Sequence, residues 1–176
     1  MLAAPAALAE ELAAAWRQDA AGTVAAAELP ERHHAPAPAG VFIPLASLGL
    51  RTPIPVDPVE AALRDQVVGA DVVVVHVEAL DSEALHEGPL PVVARLAVER
   101  GVPVVVLAGR AEVSRREWSV KGVSGVHEVG TEPAHRSHSV TRVARTWAPK
   151  WSNDPRTTDS CVTSGSASTA TSLEEA

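Results

Sequence analysis

Apolar positions along the chain recur at two spacings, one helical and one extended, and the two alternate. Leu8, Leu12, Ala15 and Trp16 fall on one side of a helix predicted over residues 5–18. Gly22 favours a stop after it, and residues 23–29 read as a short strand. The organisation then changes. Pro30, Pro36, Pro38, Pro44, Pro53, Pro55 and Pro58 remove backbone donors and fix φ, so residues 30–57 read as an extended connection with a short apolar segment over 41–50. Asp57-Pro58 resembles an N-cap followed by proline at the first helical position. Val59, Leu63 and Val67 then define a short amphipathic helix. Residues 70–77 form a β-branched run suited to a strand buried on both faces, and 78–88 a polar loop with a helical turn. Leu90, Val93, Ala94 and Ala97 share one face of a helix over 89–100 that Gly101 ends. A second apolar strand follows over 102–107, with Ala108-Gly109-Arg110 as the turn after it. Residues 114–121 read as a helix closed by Gly122, and 123–129 as a third strand. Ser137 or Ser139 is expected to cap a last helix carrying Val140, Val143, Ala144 and Trp147. From residue 152 onward large apolar side chains all but vanish, and the composition predicts a disordered tail.

This order predicts an α/β fold: a parallel sheet of about three to four strands covered by helices in a Rossmann-like three-layer fragment. The expected divisions are 1–29, an N-terminal helix and short strand; 30–57, the Pro-rich connection; 58–151, the α/β domain; and 152–176, the tail. Ligands of such sheets bind where strands end at their carboxyl edge, which puts the loops after Val77, Leu107 and Val129 forward as site candidates.

Composition narrows the function classes. The apolar content is mostly Ala and Val, with Phe42 and four tryptophans as the aromatics. Small and β-branched side chains suit buried parallel strands under Ala-rich helices. A net charge of −7 without a basic stripe argues against nucleic acid as a partner. Cys161 is the single cysteine, so neither an internal disulfide nor a cysteine zinc site is expected. The N-terminal stretch lacks a basic leader and carries Glu10-Glu11, unlike a secretory signal. Residues 70–77 contain Asp71 and His76 and are far too short to span a bilayer. The expectation is a cytoplasmic protein without membrane attachment.

Recognised chemical motifs are few. There is no G-x-x-x-x-G-K-[ST] loop, no G-x-G-x-x-G, no H-E-x-x-H and no G-x-S-x-G. His127, His135 and His138, with Glu128, offer metal-type donors, and the last two histidines would share a face at a helix start. Solvated loop histidines explain them more simply. His33-His34 lies in the Pro-rich connection. Trp118 and Trp147 fall at helical positions and are expected to pack against the core or its edge.

The segments from Asp71 onward resemble the type I glycerate kinase family. That family has a strand, a loop of the form T-G-E-G-x-x-D-x-Q-S, then G-K-x-P, a helix, and a second strand ending in A-G. Here the strand reads Ala70-Asp71-Val72-Val73-Val74 and the loop Val75-His76-Val77-Glu78-Ala79-Leu80-Asp81-Ser82-Glu83-Ala84-Leu85. The second strand reads Gly101-Val102-Pro103-Val104-Val105-Val106-Leu107-Ala108-Gly109. Similar segments continue through Glu112-Val113-Ser114-Arg115-Arg116-Glu117 and Gly122-Val123 to Arg142-Val143-Ala144-Arg145-Thr146-Trp147. A fainter likeness covers residues 7–17, similar to the family's first helix.

By this resemblance the activity would be transfer of phosphate from ATP, with Mg²⁺, to glycerate, so nucleotide and a small organic acid are the implied partners. Asp81 matches the loop's aspartate and is the implied catalytic carboxylate. Glu78, Ser82, Gly109 and Arg110 are the implied substrate-binding positions, and no metal ligand is assigned. Departures are many. Val75 replaces the loop threonine, His76 and Glu78 its two glycines, and Val77 its glutamate, while the G-K pair falls on Glu87-Gly88. Glycines let backbone N–H groups approach phosphate, and a lysine supplies a cation. The family's first strand is expected to be absent, and the Pro-rich connection stands where its large middle portion would be. Impaired or lost activity is therefore expected. The alternatives are a non-catalytic remnant and an interaction module exposing a sheet edge. Turn chemistry competes for Asp81 and Ser82, and solvation for Arg110.

Overall fold

Residues 1–30 and 58–148 are described by a computed structural model, and the Pro-rich connection beyond Pro30 and the Ser/Thr-rich tail lie outside them. At the centre stand the two β-branched runs. β3 (Val73–Leu80) pairs in parallel with β4 (Val104–Ala111), from Val73↔Val104 to Leu80↔Ala111. Val75, Val104, Val105, Val106 and Leu107 are fully buried, as expected of strands covered on both faces.

Outside this pair lie three short strands. β1 (Leu2–Ala3) pairs with β3 through Leu2↔Val75, and β2 (Ala27–Glu28) pairs with β1. β5 (Gly125–Glu128) pairs with β4. All pairings are parallel, and the order is β2-β1-β3-β4-β5. Among the described residues the parallel α/β sheet thus has five strands, where about three to four are expected. A short strand precedes α1, where pattern predicts none: Ala27 N donates to Met1 O and Leu29 N to Ala3 O, each at 2.9 Å. Two residues carry no readable period, which is why sequence pattern missed β1.

Among the described residues six helices complete three layers: α1 (Ala6–Arg17), α2 (Pro58–Val67), α3 (Ser82–His86), α4 (Leu90–Val98), α5 (Arg115–Val120) and α6 (Pro133–Trp147). α1 and α6 cover one face, where Leu12, Trp16, Val140 and Val143 meet Val74, Val105 and Leu107. α2 and α4 cover the other, where Leu63, Val67, Val93 and Leu96 meet Val73, Val75, Val104 and Val106. Trp118 packs at the margin of the second core and Trp147 at the margin of the first. On the surface, Arg64 and Arg95 each bridge Glu60 and Glu99, joining α2 to α4 in a ring of four charges.

Local signals set the helix ends. At Gly101, with φ at 68°, the chain turns so that Gly101 N reaches Val98 O and Val102 N reaches Ala97 O, a Schellman closure. Gly122 repeats it, with Val123 N on Trp118 O. Ser114 and Glu117 form a reciprocal capping box at the start of α5. The start of α6 differs from expectation. Proline at the first helical position and the bond from Arg136 N to Glu132 O, 2.8 Å, begin it at Pro133, so Ser137 and Ser139 lie inside the helix. β3 and β4 also run further than their apolar runs suggest. Mutual pairing carries residues 78–80 and 108–111 as ladder, so Gly109 and Arg110 sit in a strand rather than a turn.

Leu63 joins α2 to the core with no exposed surface. Leu63→Ala is expected to lower unfolding stability by about 2–5 kcal/mol, read as a shifted urea midpoint with an unchanged slope.

Candidate functional site

In this strand order the chain reverses direction of travel between β1 and β3, and the crevice outside their carboxyl ends is where doubly wound sheets receive ligands. The expected site residues lie around that edge. Asp81 follows β3 directly and caps α3: its Oδ1 accepts from Ala84 N at 2.8 Å, with extended backbone at φ −116°. Ser82 is the first residue of α3, is exposed, and its carbonyl meets His86 Nδ1 at 2.8 Å. Glu78 is exposed on β3. Gly109 lies beside it, and a Cβ there would fall 2.6 Å from the Glu78 carbonyl oxygen and 3.3 Å from Thr131 Cγ2. Glycine at this point is thus required by strand contact alone. Arg110 is exposed and lies 3.2 Å from Glu112 Oε1. Strand alternation puts Arg110 on the opposite face from Gly109, so the expected residues do not form one cluster. Glu128 closes the β4–β5 end, with its Oε1 accepting from Ala111 N at 2.7 Å.

A second group of side chains does converge, on the α1/α6 face of the sheet. His76 is buried in β3, where Val74 shows that side chains of this parity face α1 and α6. Over it lies Arg136 of α6, whose Nη2 donates to Glu11 Oε1 at 3.1 Å and whose Nη1 donates to the Thr131 carbonyl at 3.3 Å. Arg136 Nε is buried and has no hydrogen-bond partner among the described residues. Burial pushes the His76 imidazole below its ordinary value, and the Arg136 charge pushes it the same way; Glu78 and Glu11 oppose them. Neutral His76 thus sits beneath an ion pair that ties α1 to α6.

Sequence pattern did not find this group. His76 stood out only as a departure from the family loop, and Glu11 and Arg136 carry no motif. Starting α6 at Pro133 would have put Arg136 in its first turn, and that proline was the readable signal. His135 and His138 are exposed on the same helix. His127 stands apart, accepting a hydrogen bond from Trp147. Among the described residues no three His, Cys, Asp or Glu side chains are placed to hold a metal ion. Nor is any described helix long and apolar enough to cross a membrane.

Compared with known proteins, residues 55–150 match a family model described as the glycerate kinase family, which is more than half of the 176-residue chain. No curated protein and no solved structure matches the chain.

Two predictions follow the geometry. Asp81→Ala removes the α3 cap and is expected to cost about 1 kcal/mol of stability, seen as a small drop in urea midpoint. The second concerns acid. The folded chain holds His76 below its ordinary 6.5, so the unfolded chain takes up that proton first. Stability is then full above about 6.5 and falls as pH drops toward the folded value. In His76→Gln this part of the slope should disappear from a urea titration at stepped pH; an unchanged slope would remove His76 as its source.

Proposed function

Because the chain belongs to the glycerate kinase family, we propose that it is a glycerate kinase-like domain whose transfer of phosphate from ATP to glycerate is impaired or lost. The observation that carries this reading is the buried histidine. Where the family resemblance calls for glycine, the His76 side chain is buried within β3, under the Arg136–Glu11 pair. Phosphoryl transfer depends on donors and cations positioned around a moving phosphate. The residues here do not fit ATP with Mg²⁺. Glu78 adds a negative charge near His76, and the nearest guanidinium is already engaged by Glu11 and the Thr131 carbonyl. Asp81, the carboxylate that matches the family loop, is held at the α3 N-terminus. Fully buried Val75 stands in place of a hydroxyl-bearing residue.

This reading carries with it a cytoplasmic location, with glycerate and nucleotide as the ligands of any residual activity. Glu78, Ser82, Gly109 and Arg110 remain the positions through which such ligands would be held. Gly109 and Glu78 would act at the backbone, where the two strands touch.

An interaction role is the second reading. Its motive is that, among the described residues, β2 and β5 end the sheet on either side and present unpaired outer edges.

The test is glycerate-dependent transfer of phosphate from ATP by the purified chain, beside Asp81→Asn, in samples shown to be folded by circular dichroism. The expected result is no turnover above the Asp81→Asn background. Turnover that Asp81→Asn abolishes would overturn the proposal and return the family activity to this chain.

A further inference from the structure

Among the described residues β5 ends the sheet, and the last turn of α6 lies directly on it. A Cβ at Gly125 would fall 2.5 Å from Trp147 Cζ2, so the indole rests on the strand backbone itself. Trp147 Nε1 donates to His127 Nε2 at 2.8 Å, and the two rings meet edge to face, with centroids 6.3 Å apart at 76°. The chemistry of this bond is one-way. An indole nitrogen only donates, so His127 Nε2 must present a lone pair and the neutral ring carries its proton on Nδ1.

From this geometry we infer that His127 and Trp147 form a proton-operated latch, holding the end of α6 over edge strand β5 when His127 is neutral and releasing it when His127 is charged. Protonation turns both ring nitrogens into donors, and the indole N–H loses its acceptor. The new charge also meets Arg142, the cationic group of α6 that acts on His127. From β4 the paired residue is Leu107, which carries no charge, and the neighbouring Glu128 is bonded to Ala111 N. No carboxylate among the described residues therefore compensates the imidazolium. Burial first, and Arg142 second, move the ring below its ordinary 6.5. Release accordingly belongs to mildly acid conditions, and it would uncover the face of β5 on which the indole rests. The latch does not depend on whether the domain transfers phosphate.

Variants separate the latch from a passive contact. His127→Gln offers an amide oxygen that accepts the indole proton at any pH, whereas His127→Phe offers none. The readout is the four indole N–H signals in a nitrogen-15 correlation spectrum, with Trp147 assigned by Trp147→Phe. As pH falls from about 8 to about 5, the Trp147 signal should shift along the His127 titration. At the acid end its solvent exchange should be about tenfold faster than in His127→Gln, in keeping with loss of one hydrogen bond. His127→Phe should show the released position at all pH values. Amide signals of β3 and β4 should persist throughout, which excludes global unfolding as the cause. A Trp147 signal that stays fixed across the His127 titration, or that moves equally in His127→Gln, would overturn the proposal.

Discussion

Everything in this domain is indexed to the ladder between β3 and β4. It joins two apolar runs that are distant in sequence, so its formation must offset the closure of a long loop before it returns any stability. What offsets it is burial on both faces: one set of valines enters the α2/α4 core and the alternate set the α1/α6 core. Each remaining element takes its place from that pair. β1 is placed by one register contact with β3, β5 by its pairing with β4, and the helices by the apolar stripe each strand turns toward them. The same ladder fixes how far apart the strand ends lie at the carboxyl edge, and hence the shape of any site there.

The parts of the fold that were readable are those where a period extends over a whole element. α4 announces itself through Leu90, Val93, Ala94 and Ala97 and stops where Gly101 allows a left-handed turn. The valine runs of β3 and β4 are equally plain. What escaped was local pairing without a hydrophobic signature. Two-residue β1 exists because β3 offers an open edge, and the ends of β3 and β4 continue because each supplies the other's hydrogen bonds. Asp81 and Ser82 were readable as turn chemistry, and capping is what Asp81 does. The His76–Arg136–Glu11 group was not readable, since its members come from three elements and only the packing of α1 against α6 brings them together.

That group also explains how a charged side chain can be enclosed so near the core. Only 12% of the Arg136 side chain remains exposed, a position costly for a guanidinium without partners. Glu11 supplies the opposite charge and the Thr131 carbonyl a second acceptor, both delivered by segments adjoining the sheet edge. His76 stays neutral beneath them, so the cluster gains an aromatic filler without a second buried cation. On this face of the sheet α1 and α6 are joined by a charge pair as well as by their apolar stripes.

The buried imidazole also constrains what position 76 can hold. Glycine there would empty the space beneath the Arg136–Glu11 pair and loosen a central strand. A charged side chain would place a second ion beside the Arg136 guanidinium, far from water. The packing of α1 against α6 is therefore written into the interior of β3 as well as into the two helices, and a change at one strand position is felt by both of them.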